Sequence, residues 1–188
     1  VVMAFTISPM ARAEVPAGTI ALTPAHLKVG NKIDLTGKWF FKPGVDEKSP
    51  EKAESSEGYL TVPVPQMLSR MQWWLDDSED FKKWEDARLK SLGFDTEKTD
   101  EGWYRLEFDC PQLAKNQHLW IEFDGVAMRC KATCNGKLLG EHAGMFSRFS
   151  FDLTPALKAG ENVLSIWVSM EKVPKTTAQL GEAVGGVA

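Results

Sequence analysis

Two adjacent tryptophans, Trp73 and Trp74, could stack on a sugar ring. The apolar face of a pyranose ring packs on an indole, and the chain holds seven tryptophans in 188 residues. Neighbouring side chains in an extended segment point to opposite sides, so one of the two indoles is expected to be exposed. We therefore treat the pair as a candidate sugar-stacking platform. The alternative is that both indoles pack in the core or against a neighbouring helix.

Glu122 and Asp124 are the carboxylates that could form a catalytic pair, because residues two apart on a strand face the same side. Retaining glycosidases place two such groups about 5–5.5 Å apart. A solvated strand face explains both residues equally simply, so no catalytic residue is assigned. The sequence also lacks a G-x-S-x-G nucleophile elbow, a P-loop and a G-x-G-x-x-G phosphate loop.

The three cysteines, Cys110, Cys130 and Cys134, could act as metal ligands together with His118 and His142. Their spacing matches no tight zinc pattern, so neither a metal nor a cofactor is predicted. On one strand, Cys130 and Cys134 would lie about 13 Å apart. A disulfide needs Cα atoms within about 7 Å, so these two cannot bridge each other. A bond from Cys110 to either one stays open, and the alternative is three buried, inert thiols.

One helix is predicted, over about residues 77–92, where apolar residues recur at helical spacing. Acidic residues begin this stretch and basic residues end it, as the helix dipole favours, and Gly93 is a suitable stop. The predicted apolar stripe consists of Phe81, Trp84, Leu89 and Leu92.

Short strands with alternating apolar residues dominate the chain from Trp103 onward, and Asn135-Gly136 is a strong hairpin signal. The charged stretch 45–58 is expected to be a solvated loop. The pattern predicts an all-β fold, an antiparallel β-sandwich of jelly-roll type with about eight strands and one inserted helix. The predicted core comprises Leu106, Phe108, Leu119, Ile121, Phe123, Phe151, Leu164 and Ile166.

Charge and chain ends narrow the function classes. A net charge of −4 without a basic run argues against nucleic-acid binding. The sequence also contains no run of about 18 apolar residues that could span a membrane. Residues 1–13 are predicted to be the remnant of a signal peptide, with Ala11 and Ala13 at the spacing of a cleavage site. We therefore expect a periplasmic or extracellular protein. The alternative for this segment is a frayed terminus. Residues 14–34 are expected to form a leader segment.

Six short segments, in order, resemble the N-terminal sugar-binding domain of family 2 glycoside hydrolases, the family of β-galactosidases, β-glucuronidases and β-mannosidases. The domain is galactose-binding-like. The segments are Gly102–Arg105, Glu122–Val126, Asn135–Lys137, Gly140–Gly144, Phe149–Thr154 and Gly160–Leu164.

The resemblance implies a β-sandwich over 35–172 and a linker over 173–188 toward immunoglobulin-like and TIM-barrel domains of the same polypeptide. The family's catalytic carboxylates lie in that barrel, and this chain lacks the family's Asn-Glu pair. A carbohydrate is then the expected ligand.

The resemblance also places Asp100 and Glu101 where loops lean over the barrel's active site, and His142 in a family-like Gly-Glu-His-x-Gly loop, as a structural hydrogen-bonder or a ligand. Together with Trp73 and Trp74, these three are the predicted substrate-binding residues. Two rival functions remain, a stand-alone carbohydrate-binding module and a non-catalytic adhesion or structural sandwich.

Overall fold

The structure is a computed structural model that describes residues 18–48, 58–65, 78–95, 98–99, 101–126, 128–144 and 147–169. The described residues form nine strands and one α-helix. The strands are β1 (Thr19–Ala21), β2 (Gly37–Pro43), β3 (Leu60–Val64), β4 (Glu101–Cys110), β5 (Trp120–Phe123), β6 (Arg129–Cys134), β7 (Lys137–Ala143), β8 (Phe149–Asp152) and β9 (Gly160–Ser169). The helix α1 spans Glu79–Ser91, within the predicted range.

The strands form a large sheet and a small one. The large sheet has the order β3-β2-β4-β9-β6-β7, and all of these neighbours are antiparallel. Strand β1 is added parallel to the distal half of β4, and β5 pairs with β8 in a separate antiparallel sheet. This arrangement is the predicted all-β sandwich with one helix, although the β1–β4 pair departs from a purely antiparallel design.

The inner face of the two central strands forms the core. Leu106 pairs with Leu164 and Tyr104 with Ile166, and all four side chains are buried. Phe123 reaches the same core from β5 and is fully buried. Of the eight predicted core residues, six are buried, whereas Leu119 and Phe151 are half-buried at the margin of the core. Their partial exposure follows from their place in and beside the narrow two-stranded sheet.

The outer face of the large sheet carries a second apolar cluster. Trp103 and Trp167 pair across β4 and β9, and the segment after β2 folds over them through Val45. The indole Nε1 of Trp103 donates to the Asp46 carbonyl at 3.0 Å, and Glu47 pairs with Lys131. Residues 45–48 form a loop, as predicted, and Asp46 and Lys48 are exposed, but Val45 packs against the two indoles, so this part of the loop is not solvated throughout.

The helix α1 is capped as its sequence suggests. The hydroxyl of Ser78 accepts a hydrogen bond from the Phe81 backbone N–H, and Gly93 follows the helix with a left-handed φ of 81°. Leu89 and Leu92 pack into the main core. Trp84, however, is 52% exposed, and the predicted stripe is wrong at that position.

The buried face of α1 contains Glu85 instead. Its carboxylate is fully buried and lies 3.6 Å from the Arg88 guanidinium. Arg88 in turn lies over the Trp84 ring, with its Cζ atom 5.8 Å from the ring centroid. The apolar pattern misses this position because Glu85 is acidic. An acidic side chain can nevertheless be buried when a basic residue one turn away, here Arg88, pairs with it.

The hairpin between β6 and β7 confirms its sequence signal. Asn135 and Gly136 both have positive φ, at 51° and 76°, as a two-residue primed turn requires. The side chain of Asn135 also donates to the Ala156 carbonyl at 2.8 Å. The turn is thereby attached to the loop that precedes β9.

The stretch that the sequence assigned to a leader contributes to the sandwich. Strand β1 pairs with β4, and the backbone N–H of Leu22 donates to the Asp109 carbonyl at 2.8 Å. Leu22, Ile33 and Leu35 then pack against the core beside the small sheet.

Candidate functional site

One end of the sandwich holds the two predicted substrate-binding residues that the structure describes. There, β4 and β6 begin while β7 and β9 end, so that Glu101, Ser169, Arg129 and Ala143 form one row across four strands. We call this the β4-start end. Of the predicted substrate-binding residues, Glu101 and His142 lie at this end. Trp73, Trp74 and Asp100 lie outside the described residues, and their predicted role stays a prediction.

The carboxylate of Glu101 is engaged by the sheet itself. The indole Nε1 of Trp167 donates to Glu101 Oε2 at 2.9 Å, and the Glu101 carbonyl accepts from the Gly44 backbone N–H at 2.8 Å. The hydrogen bond to Glu101 satisfies the polar atom of a 5% exposed indole. Glu101 therefore positions Trp167 at the β4-start end.

His142 is held by its neighbours on both sides. Its ring stacks on Phe149 with the centroids 3.9 Å apart, and Nε2 lies 3.0 Å from the Ser147 hydroxyl. Burial lowers the pKa of His142, so the ring is neutral at pH 7. The sequence left two roles open for His142, a structural hydrogen-bonder or a ligand. These contacts support the structural role.

A cavity of about 230 Å³ is lined by His142 and by Trp167, the indole that donates to Glu101. Its lining also includes four charged residues, Glu47, Arg129, Lys131 and Glu141. Lys131 is central to them, with its Nζ 3.1 Å from Glu47 Oε1 and 3.8 Å from Glu141 Oε1. Paired acids and bases beside an indole are groups that hydrogen-bond sugar hydroxyls, although the indole face itself is covered.

The carboxylates considered as a catalytic pair take part in ion pairs. Asp124 Oδ1 lies 2.8 Å from a guanidinium nitrogen of Arg148, and Glu122 Oε1 lies 3.8 Å from the other. Lys32 approaches Glu122 at 3.4 Å from the segment before β2. Because both carboxylates form ion pairs with basic side chains, no catalytic role is needed to account for them.

The three thiols are free and buried. Burial raises the pKa of Cys130 to about 12 and that of Cys134 to about 11, and it also raises the pKa of Cys110. Of the two alternatives for the cysteines, the structure favours inert thiols. Within the described ranges, no group of three or more His, Cys, Asp or Glu side chains could hold a metal ion.

A comparison with family models decides the family. Residues 77–184 match the model described as the glycosyl hydrolase 2 galactose-binding domain-like family, which is more than half of the chain. The chain belongs to this family. The match includes α1 and every strand from β4 to β9, and it agrees with the resemblance drawn from the turn residues.

Relatives of this family 2 domain are much longer than the chain. A β-galactosidase from Bacteroides ovatus is 40% identical over 76 residues, which are 40% of this chain and 9% of that protein. A β-glucuronidase from Streptococcus agalactiae is 24% identical over 155 residues, 81% of this chain and 22% of that protein. The structure of Bifidobacterium dentium β-glucuronidase aligns with a TM-score of 0.53 and 28% identity, covering 72% of this chain and 19% of that one. The chain thus spans less than a quarter of each of these relatives.

The family 2 domain also has a cleft on its flank that the site prediction did not include. It measures about 340 Å³ and lies between the segment 20–35 and β5, with Trp120, His26 and His118 among its lining residues. Trp120 begins β5, in which Ile121 and Phe123 are buried, so the period-two pattern already places the Trp120 side chain outward. The signal was therefore in the sequence, although nothing in the sequence indicated the cleft beside it.

Proposed function

We propose that the chain is the N-terminal, non-catalytic sandwich of an exported family 2 glycoside hydrolase that acts on O-glycosidic bonds. The observation that carries this proposal is the family match over residues 77–184, together with the small share of each relative that the chain spans. In this proposal, the reacting carboxylates belong to a TIM-barrel domain elsewhere in the polypeptide, and an immunoglobulin-like domain is a further partner.

The described acids support a non-catalytic role. Glu101 holds an indole, and Glu122 and Asp124 share the Arg148 guanidinium. A general acid in glycoside hydrolysis needs a raised pKa, and a facing carboxylate must be poised as nucleophile or base. Glu122 and Asp124 instead lie in ion pairs within the sandwich, and Glu101 accepts from an indole. Each of these acids therefore has a structural partner.

The substrate class follows from the relatives by analogy. Relatives of the chain carry the names β-galactosidase and β-glucuronidase, so we infer that the whole protein cleaves β-linked galactosides or glucuronides. The β4-start end, with Glu101 and His142, is the part of the sandwich we propose to face the catalytic domain. Export rests on the apolar first residues and the Ala11/Ala13 spacing.

An assay of the longer polypeptide tests the proposal. Its gene is expressed in a bacterium with an outer membrane, and periplasm and cytoplasm are assayed with 4-nitrophenyl β-D-galactoside and 4-nitrophenyl β-D-glucuronide. The proposal predicts turnover of one of them, concentrated in the periplasm. No turnover of either substrate, with sugar binding retained, would instead identify a stand-alone carbohydrate-binding module. Turnover confined to the cytoplasm would refute export alone.

A further inference from the structure

The flank cleft has the size and lining of a small-ligand site. Its volume of about 340 Å³ falls at the lower end of the range of ligand pockets, roughly 300–1,000 Å³. The floor consists of core side chains, among them Leu106, Phe108 and Leu164, and the rim is polar. An apolar floor with a few converging polar groups is the usual construction of a pocket for a small ring.

The outer wall of the cleft, the segment 22–35, is fixed by hydrogen bonds at several points. The Gln117 side chain donates to the Leu27 carbonyl at 3.1 Å, which ties the wall to the turn before β5. Within the wall, the Asn31 amide donates to the Ala25 carbonyl at 2.9 Å. A wall held in this way keeps the cleft preformed, so a ligand would lose little affinity to reorganisation.

Two histidines on the lining present complementary hydrogen-bonding groups. Nδ1 of His26 accepts from the Thr23 backbone N–H at 3.1 Å, so the proton of the neutral ring is on Nε2. Nδ1 of His118 lies 3.3 Å from Asp152 Oδ2, a carboxylate oxygen that accepts, so in the neutral tautomer that fits this contact Nε2 is the acceptor. One ring therefore offers a donor and the other an acceptor. Hydroxyl groups, which both donate and accept, suit such a rim.

Trp120 supplies an aromatic surface at the same place. Its side chain is 57% exposed, although the flanking Ile121 is buried and Leu119 is half-buried. Tryptophan is highly buried on average, so an indole this exposed beside an apolar cleft marks a surface that a ligand can cover.

The charges at the rim favour a neutral ligand. Lys32 and Glu122 line the cleft and pair with each other at 3.4 Å. The Asp152 carboxylate is not part of the lining, and it accepts from His118 Nδ1 and from the Thr154 backbone N–H. Because the full charges of the lining, Lys32 and Glu122, are matched to each other, a free carboxylate or ammonium group on a ligand would find no unmatched counter-charge there.

We propose that this cleft binds a neutral pyranose ring, with the ring stacked on Trp120 and its hydroxyls bonded to His26 and His118. The inference rests on the proposed carbohydrate role of the domain and adds a second sugar contact, on the flank and apart from the β4-start end. The site would hold a neutral sugar unit of a longer saccharide and so raise its local concentration.

Titration of the 188-residue chain tests the site, with methyl β-D-galactopyranoside and methyl β-D-glucopyranoside as neutral probes and methyl β-D-glucuronide as the charged one. Binding is followed through the indole N–H resonances in heteronuclear NMR. We expect a dissociation constant in the millimolar range for a neutral probe, with the Trp120 resonance shifting and weaker binding of the glucuronide. Trp120→Ala should weaken binding at least about tenfold, because it removes the central aromatic anchor.

Trp84→Ala is the matched control, since Trp84 is similarly exposed and belongs to α1, which contributes no residue to the lining of the cleft. It should leave binding unchanged. The double variant His26→Ala/His118→Ala should weaken binding while Trp120 stays in place.

No binding of either neutral probe up to about 50 mM, roughly tenfold above a weak millimolar constant, would overturn the inference. Binding that survives Trp120→Ala would do the same. Burial of Trp120 by another domain in the longer polypeptide, seen as loss of its solvent exposure, would also contradict it. None of these outcomes affects hydrolysis of a 4-nitrophenyl glycoside, so failure here is distinguishable from failure of the proposed function.

Discussion

The indole of Trp167 on β9 and the carboxylate of Glu101 on β4 are joined by a 2.9 Å hydrogen bond at the end of the sandwich where β4 starts. Glu101 is one of the acids that the family resemblance associates with sugar contact. Its acceptor atom Oε2 is occupied by a side chain of the same sheet, which gives Glu101 a structural role in the isolated domain.

Two substitutions of Glu101 test whether its charge or its hydrogen bond contributes to the stability of the domain. Glu101→Leu leaves the Trp167 N–H without its acceptor and should lower the free energy of unfolding by about 1–3 kcal/mol. Glu101→Gln keeps a carbonyl acceptor and should cost less than the Leu variant. Urea unfolding followed by tryptophan fluorescence measures both. Equal losses for the two variants would show that charge, not the hydrogen bond, is what Glu101 contributes.

Truncation of two phenylalanines tests the placement of the small sheet. Phe123 is fully buried and stacks on Phe149 with the centroids 4.9 Å apart, whereas Phe151 is half-buried. Phe123→Ala should therefore cost about 3–5 kcal/mol. Phe151→Ala should cost less, roughly 1–3 kcal/mol, because less apolar surface leaves the core. Chemical denaturation compares the two, and the reverse order would mean that the β5–β8 register is wrong.

Gly140 on β7 leaves room for the ring of Phe151. A Cβ atom at this position would overlap the Phe151 ring, so Gly140→Ala should destabilise the domain by about 1–3 kcal/mol through overpacking. Phe151→Leu removes the ring that the new Cβ would overlap. Gly140→Ala should therefore cost less stability in a Phe151→Leu background than in the native chain. Strictly additive losses in thermal unfolding would argue against this contact.

The buried thiols should resist modification. Burial raises the pKa of Cys130 to about 12 and of Cys134 to about 11, and the thiolate is the reactive form. We expect the native chain to react slowly with a disulfide reagent at pH 8, and the urea-unfolded chain to release three equivalents at once. Rapid reaction of one thiol in the native state would place that cysteine at the surface.

The same shifts set a pH dependence with a definite sign. The folded pKa values lie above the value of about 8.5 in an unfolded chain, so ionisation of these thiols favours unfolding. Their contribution to stability is complete below that pH and declines as the pH rises toward 11–12. Replacement of Cys130 and Cys134 by Ala should flatten this decline in urea titrations between pH 8 and pH 10.

Alternation of apolar residues was enough to predict the sandwich and most of its core. The pattern around Leu106, Phe123 and Leu164 places one face of each strand inward, and the structure agrees. The pattern could not reveal that β4 and β9 are buried on both faces, because that depends on Val45 and its neighbours folding over Trp103 and Trp167. A charged segment gives no local sign of such a distant contact.

The candidate sites were harder to predict from the sequence, because they too depend on contacts between residues that are distant in the chain. His26 and His118 lie 92 positions apart and line one cleft only because the segment before β2 packs beside β5. Trp120 was identifiable as outward-facing from its strand, yet the value of an exposed indole depends on what lies next to it. Residue type and spacing predict such a side chain's direction, whereas tertiary packing decides its surroundings.

Hydrolysis by the isolated chain is the most direct test of the central claim, that this domain is the non-catalytic part of a family 2 glycoside hydrolase. Initial rates of 4-nitrophenol release from β-D-galactoside and β-D-glucuronide are measured for the 188-residue chain and, at equal molar concentration, for the longer polypeptide. The account predicts no rate above background for the chain and turnover of at least one substrate by the longer polypeptide. Turnover by the chain alone that survives repurification and is lost on substitution of a single carboxylate, such as Glu122→Gln or Asp124→Asn, would contradict it.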